Sequence, residues 1–202
     1  MKINKKIIFI FIIILFIFIG IIIYKNMTKK SKYGNNMNSQ EIVDNILNIN
    51  SYKSNITVQV NSNKNENRYV LEQEYSTEDG SIQIVLEPSN IAGIKMIYKN
   101  NSLKLQNTKL NIAKIFENYK GLEDNNLDLI TFIINYKNSD KSKYEENDTE
   151  IIMKTKSDNN IQNMNNKILY INKETKLPTK MIIEDNNQNM KIFIQYNEIN
   201  FN

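Results

Sequence analysis

Carboxylates are the side chains best able to do chemistry in this chain, because its sequence contains no His and no Cys. Without His it lacks the commonest general base and transition-metal ligand. Without Cys it has no thiol nucleophile, disulfide, thiolate metal site or residue for lipid acylation. Three acidic groupings remain. Glu72 and Glu74 stand two apart on one face of a strand-like stretch, as an acid and base pair could, but they read as the solvated face of a strand on a polar protein. Glu123, Asp124 and Asp128 precede an apolar helical pattern, where acids suit the positive end of a helix. Glu145, Glu146, Asp148 and Glu150 are dense enough to attract a hard cation such as calcium. They lack the spaced Asp, Asn and Gly of a calcium loop and read as a flexible acidic loop. No glycine-rich phosphate loop occurs. The Asn55 and Asn147 glycosylation sequons are expected by chance in a chain so rich in Asn. The expectation is a non-enzymatic chain without catalytic residues, metal ligands or cofactor.

Behind these residues lies an order of elements. A helix capped by Asn38 or Ser39, with Glu41 in its first turn, carries Ile42, Val43, Ile46, Leu47 and Ile49 on one face. Alternation then predicts strands at Ile56 to Val60 and Arg68 to Tyr75. An Asp79-Gly80 turn leads to another strand at Ser81 to Glu87, ended by Pro88. Ile94 to Tyr98 and Leu103 to Gln106 form a hairpin across the turn at 99–102. From Leu110 the spacing of Ile112, Ile115, Phe116 and Tyr119 predicts a helix stopped by Gly121. A second helix opens at Asn125 or Asn126 and runs through Leu127, Leu129, Ile130, Phe132, Ile133 and Ile134, apolar enough to require deep packing. Strands follow at Thr149 to Thr155, Lys167 to Asn172, Thr179 to Glu184 and Met190 to Tyr196. Strands joined by tight turns, with helices set to one side, imply an α+β fold built on a strongly curved antiparallel sheet or half-barrel.

Ahead of that body stands Ile7 to Ile23, seventeen residues with no charge. As a helix it would be about 26 Å long, close to a hydrocarbon core of about 30 Å. The following residues offer no small-residue cleavage site, so the expectation is an uncleaved transmembrane anchor with the body outside the cytoplasm. The expected domains are an anchor segment at 1–28, a polar linker at 29–38 and an extracytoplasmic domain at 39–202. Of 26 basic residues, seven fall in the first 35 positions, leaving 19 against all 22 acids. The formal charge of +4 therefore belongs to the membrane flank, where Lys can meet anionic head groups. The mildly acidic body makes nucleic acid an unexpected partner.

The stretch Leu86 to Tyr98, Leu-Glu-Pro-Ser-Asn-Ile-Ala-Gly-Ile-Lys-Met-Ile-Tyr, with Leu103 to Leu110, resembles the clostridial germination lipoprotein GerS and GerS-related family. The segment Lys173 to Met181, followed by a strand ending Gln195-Tyr196-Asn197, is similar to the close of LolA-like lipoprotein-carrier folds. The resemblance covers about residues 38–202 and implies a LolA-like curved sheet with helices on its concave face. It also implies an envelope protein of spore-forming bacteria that binds and supports a peptidoglycan amidase during cortex modification. One departure is plain: GerS proteins are lipoproteins, and this chain has no Cys to acylate. A LolA-like carrier or sensor, sheltering a lipid chain in the concave face, is the alternative expectation.

Overall fold

The computed structural model describes residues 37–62, 65–119, 127–156, 166–186 and 190–201. All of them fall within one compact unit, Met37–Asn202. Helix α1 (Ser39–Leu47) precedes strands β1 (Ser51–Ser62), β2 (Glu66–Ser76), β3 (Gly80–Glu87), β4 (Ile94–Lys99), β5 (Ser102–Asn107) and β6 (Ile112–Phe116). Helix α2 (Leu129–Asn138) comes next, before β7 (Lys143–Glu146), β8 (Glu150–Lys156), β9 (Asn166–Asn172), β10 (Pro178–Glu184) and β11 (Met190–Phe201). The eleven strands form one sheet in the order β6-β5-β4-β3-β2-β1-β11-β10-β9-β8-β7. Every neighbouring pair is antiparallel. Two meanders thus fan outward from a central seam, where β1 runs against β11 from Tyr52 opposite Phe201 to Ser62 opposite Met190.

Laid flat, eleven strands at about 4.8 Å would span about 48 Å. Each helix, at about 1.5 Å per residue, is about 15 Å long. Two such helices cannot cover a flat sheet of that width. Yet side chains from β1 to β3 and from β8 to β11 join those of both helices in a single buried cluster. The sheet must therefore curve around the helices, as expected. Alternation decides which residues turn inward: Tyr52, Ser54, Ile56 and Val58 on β1, Leu71, Gln73 and Tyr75 on β2, and Met181 and Ile183 on β10 are all buried.

The helices begin where local chemistry permits. On α1, Asn38 Oδ1 accepts from the Glu41 amide at 2.9 Å, and Glu41 Oε2 accepts from the Asn38 amide at 2.8 Å. This reciprocal cap satisfies two amides that the helix start leaves unpaired. Ile42, Val43 and Ile46 then face the core. Five consecutive residues of α2, Leu129 to Ile133, are buried, so this helix has no solvated side in its first turns. The fold is mostly β, with two short helices among the described residues.

The structure corrects three expectations. The predicted helix from Leu110 to Tyr119 is instead strand β6, pairing Leu103 with Phe116 and Asn107 with Ile112. Spacing alone misled, because Ile112, Ile115, Phe116 and Tyr119 fit a helical face while β-branched Ile prefers a strand. Asn107 Oδ1 takes the amides of Lys109 and Leu110, each at 3.1 Å, and Asn111 has φ 53°, which turns the chain back along β5. The acidic loop at 145–150 is partly strand: Glu145 and Glu146 belong to β7, which sequence reasoning did not find. Its Lys-Tyr-Glu-Glu sequence has no apolar alternation to reveal it. The described part of α2 starts at Leu129 with Asp128 as its cap, whereas Asn125, Asn126 and Gly121 lie outside the described residues. The expected membrane helix, Ile7 to Ile23, also lies outside them. Among the described residues no helix is long and apolar enough to cross a membrane.

One turn ties two strands closely. Gly80 has φ +79°, and a Cβ there would strike the carbonyl oxygen of Tyr98 on β4. Gly80→Ala is expected to destabilise the domain by about 2 kcal/mol or more, from left-handed strain plus the clash. The denaturant midpoint measures it, and an unchanged midpoint would contradict this reading of the turn.

Candidate functional site

The carboxylates singled out by sequence do not converge. Glu74 faces solvent and pairs with Lys53 at 2.7 Å, and Glu72 is exposed beside it. Glu145 pairs across the strand edge with Lys154. Glu146 binds Lys173 at 2.6 Å and accepts from the Ser39 hydroxyl on α1. Glu150 opens β8. Among the described residues no group of acids is arranged to hold a metal ion. Glu123 and Asp124 lie outside the described residues.

Asp128 is different, because it is fully buried. It caps α2 by accepting from the Ile130 amide at 3.3 Å. The hydroxyls of Tyr52 on β1 and Ser81 on β3 both donate to its carboxylate. Tyr52 also accepts from the Leu129 amide at 3.2 Å. Gln73 on β2 donates to the Leu127 carbonyl at 3.0 Å and accepts a long bond from Ser54 at 3.4 Å. Three adjacent strands thus fasten the entry of one helix. Burial pushes the Asp128 carboxyl above its ordinary value, opposed by the hydrogen bonds from Ser81 and Tyr52. Burial also raises Tyr52, with the Asp128 charge adding to it, and pushes Tyr98 up to about 12. Among the described residues, Asn61 Oδ1, Gln83 Nε2 and Tyr196 Oη are buried without a hydrogen-bond partner. A carboxylate with no exposure cannot reach a substrate. Its chemistry is to position α2.

The far end of α2 carries the opposite charge. Lys167, on the inward face of β9, is 1% exposed and donates to Asn135 Oδ1 at 2.6 Å. Thr155 donates to the Asn135 carbonyl at 3.3 Å and meets the Ser142 hydroxyl at 2.8 Å. A cation suits the carbonyl-rich end of a helix. Burial nevertheless lowers the Lys167 ammonium to about 8, despite the attraction of Asp128. Sequence reasoning missed Lys167, Tyr52, Ser54, Ser81 and Gln83. The available signal was parity, since each stands in register with the buried apolar residues of its own strand.

Substitutions at two residues test this interior. Asp128→Ala removes the helix cap and orphans two buried hydroxyls, and is expected to cost about 3 kcal/mol in chemical denaturation. Because the folded Asp128 holds its proton more tightly than the usual 3.8, its favourable contribution is present at low pH and lost as pH rises through the folded value. The stability of the wild type relative to Asp128→Asn should therefore fall across that range, and a parallel pair of curves would contradict it. Lys167 has the opposite sign. Between about 8 and the ordinary 10.5 the unfolded chain holds the proton more tightly, so stability should rise with pH there. That rise should be absent in Lys167→Met, and a variant that keeps it would place the titration elsewhere.

A chain from the structure of the Clostridioides difficile CwlD amidase in complex with the GerS lipoprotein is 22% identical, with a TM-score of 0.53, over 84% of this chain and 99% of that one. A LolA superfamily protein from Nitrosomonas europaea is 12% identical, with a TM-score of 0.43, over 83% of this chain and 94% of that one. The Mycobacterium tuberculosis lipoprotein LppX is 7% identical, with a TM-score of 0.43, over 81% and 95%. No curated protein sequence matches the chain. The first of these likenesses establishes the shared curved-sheet fold. The profile of the sporulation protein YdcC-like family matches residues 5–202, nearly the whole sequence, and the chain belongs to that family.

Proposed function

We propose that this chain is a non-enzymatic, membrane-anchored envelope protein that binds and supports a peptidoglycan amidase during sporulation. The observation that carries the reading is its fold, shared almost end to end with a chain from the GerS–CwlD complex, in a chain whose family is a sporulation family. The site geometry supports a binding role. The buried acid positions a helix, and the acids at 74, 145 and 146 are occupied by ion pairs. The chain has no Cys for a lipid, and Ile7 to Ile23 supplies an apolar stretch in the place where a lipid would tether the domain. That segment keeps the body on the outer membrane surface, facing the wall enzymes.

The carrier reading finds no comparable support. Tyr52, Phe132, Leu129, Ile151, Met153, Leu169 and Met181 fill the space between helices and sheet, each under 2% exposed. Lipid held in a concave face would need that space.

Full-length protein in detergent should bind the purified sporulation amidase of the same organism in titration calorimetry, without hydrolysing peptidoglycan itself. Absence of binding, with a normal cortex in a deletion strain, would overturn the amidase role. The protein should also stay in the membrane fraction with its first residues intact, and an N-terminus beginning after Ile23 would overturn the anchor.

A further inference from the structure

Charge is unevenly placed in the folded body. Residues 88–116, which build β4, β5 and β6, contain five Lys (95, 99, 104, 109 and 114) and no acid. The rest of the chain after residue 35 carries 14 basic and 22 acidic side chains. The same region holds exposed apolar surface: Leu110 is 66% exposed, Ile112 60% and Ile115 56%. These coincide at one end of the sheet, where β6 is the last strand among the described residues.

The two edges of the sheet are built differently. At the other end, β7 is four residues long, and its Glu145 and Glu146 are held by Lys154 and Lys173. That is a guarded edge, short and charged. Strand β6 reads Ile-Ala-Lys-Ile-Phe, and its single charge, the Lys114 ammonium, lies 4.8 Å above the Phe116 ring. Register places Lys104 between Ile97 and Ile115 on the outer face, and Lys114 opposite Leu105 on the inner face. Lysines therefore flank the edge on both sides, while its backbone groups face outward unpaired by any described strand.

We propose that the edge of β6 is a docking site for an acidic extended segment of a partner protein, which adds to the sheet as a further antiparallel or parallel strand. Strand addition would satisfy the edge amides and carbonyls and cover Ile112 and Ile115, while acidic side chains on the two faces of the added strand meet Lys104 and Lys114. Other occupants fit less well. A second copy would bring two lysine-rich, acid-free meanders together, and like charges facing across strands are unfavourable. An anionic bilayer would attract the lysines but leave the edge backbone groups without partners in hydrocarbon. The lysines thus reject the chain's own edge and admit an acidic one, which is selectivity built from repulsion as well as attraction. The inference rests on the reading of this chain as a protein-binding module and adds where the partner docks.

The probe is a blocked, dye-labelled peptide of Glu-Glu-Val-Val repeats, which sets Glu on both faces of a strand, titrated into full-length protein at low and high salt. The peptide should bind, bind more weakly at high salt, and slow hydrogen exchange at residues 112–116. The pair Lys104→Glu with Lys114→Glu should weaken it by at least about tenfold, while Lys143→Glu on the opposite edge leaves it unchanged. No binding, undiminished binding by the charge-reversed protein, or protection elsewhere would overturn the proposal. So would binding of phosphatidylglycerol vesicles in place of the peptide, or a dimer that pairs through β6. Amidase titrations separate the two readings. Amidase binding that survives the reversals overturns this surface and leaves the proposed function standing. No amidase binding, with the peptide results intact, removes the amidase and leaves the acidic docking edge.

Discussion

The structure depends on one buried acid, the Asp128 carboxyl group at the start of α2. A helix whose first five residues are all buried needs its exposed amides satisfied without water. Asp128 does this from within, and the hydroxyls of Tyr52 and Ser81 reach it from strands on either side of β2. The carboxylate therefore fixes where α2 enters the sheet, and α2 fixes how far the sheet must curl to bury the inward faces of its strands. At the other end Lys167 approaches Asn135 from β9, in the opposite meander. One helix is thus bracketed by an acid tied to the first half of the sheet and a base from the second. Burial disfavours the charged form of each group, while each helix end favours the sign that group carries when charged.

Much of this was legible in the sequence. Ile56-Thr57-Val58-Gln59-Val60 declares a half-buried strand, and Asp79-Gly80 a turn, because period two and a residue tolerant of positive φ are local properties. The cap at Asn38 with Glu41 is equally local. The interior polar residues were harder to see. Gln73 and Ser81 look solvated in a composition so polar, and only their parity with Leu71 and Val85 assigns them to the core. Asp128 was placed correctly at a helix start, but its burial depends on Tyr52 and Ser81, distant in sequence. Strand β6 was misread because five residues cannot distinguish a helical face from a short strand, and the deciding fact was the free edge of β5. Strand β7 has no pattern of its own and exists because β8 offers it an edge.

In the proposed reading the domain recognises its partner at an edge and keeps its interior closed. Among the described residues, side chains of the seam, the inward strands and the helices form one buried cluster, as a rigid platform would have. Of the acids that stood out in the sequence, Glu74, Glu145 and Glu146 are taken up in surface pairs, each worth little singly at an exposed site. The body is also asymmetric in charge: it is acidic overall yet bears one acid-free meander, residues 88–116, with exposed apolar residues along its rim. The chain belongs to the YdcC-like sporulation family, and in the proposed reading that rim is what it presents to a partner.

Hydrogen exchange of the full-length protein, alone and with the sporulation amidase, tests most directly whether recognition belongs to the surface of a closed domain. Slowed exchange confined to β5 and β6, with α2 and the inward strands β1, β9 and β10 unchanged, is the expected result. Altered exchange in α2 and those strands, with β6 unaffected, would mean that the partner opens the interior, and would contradict the platform.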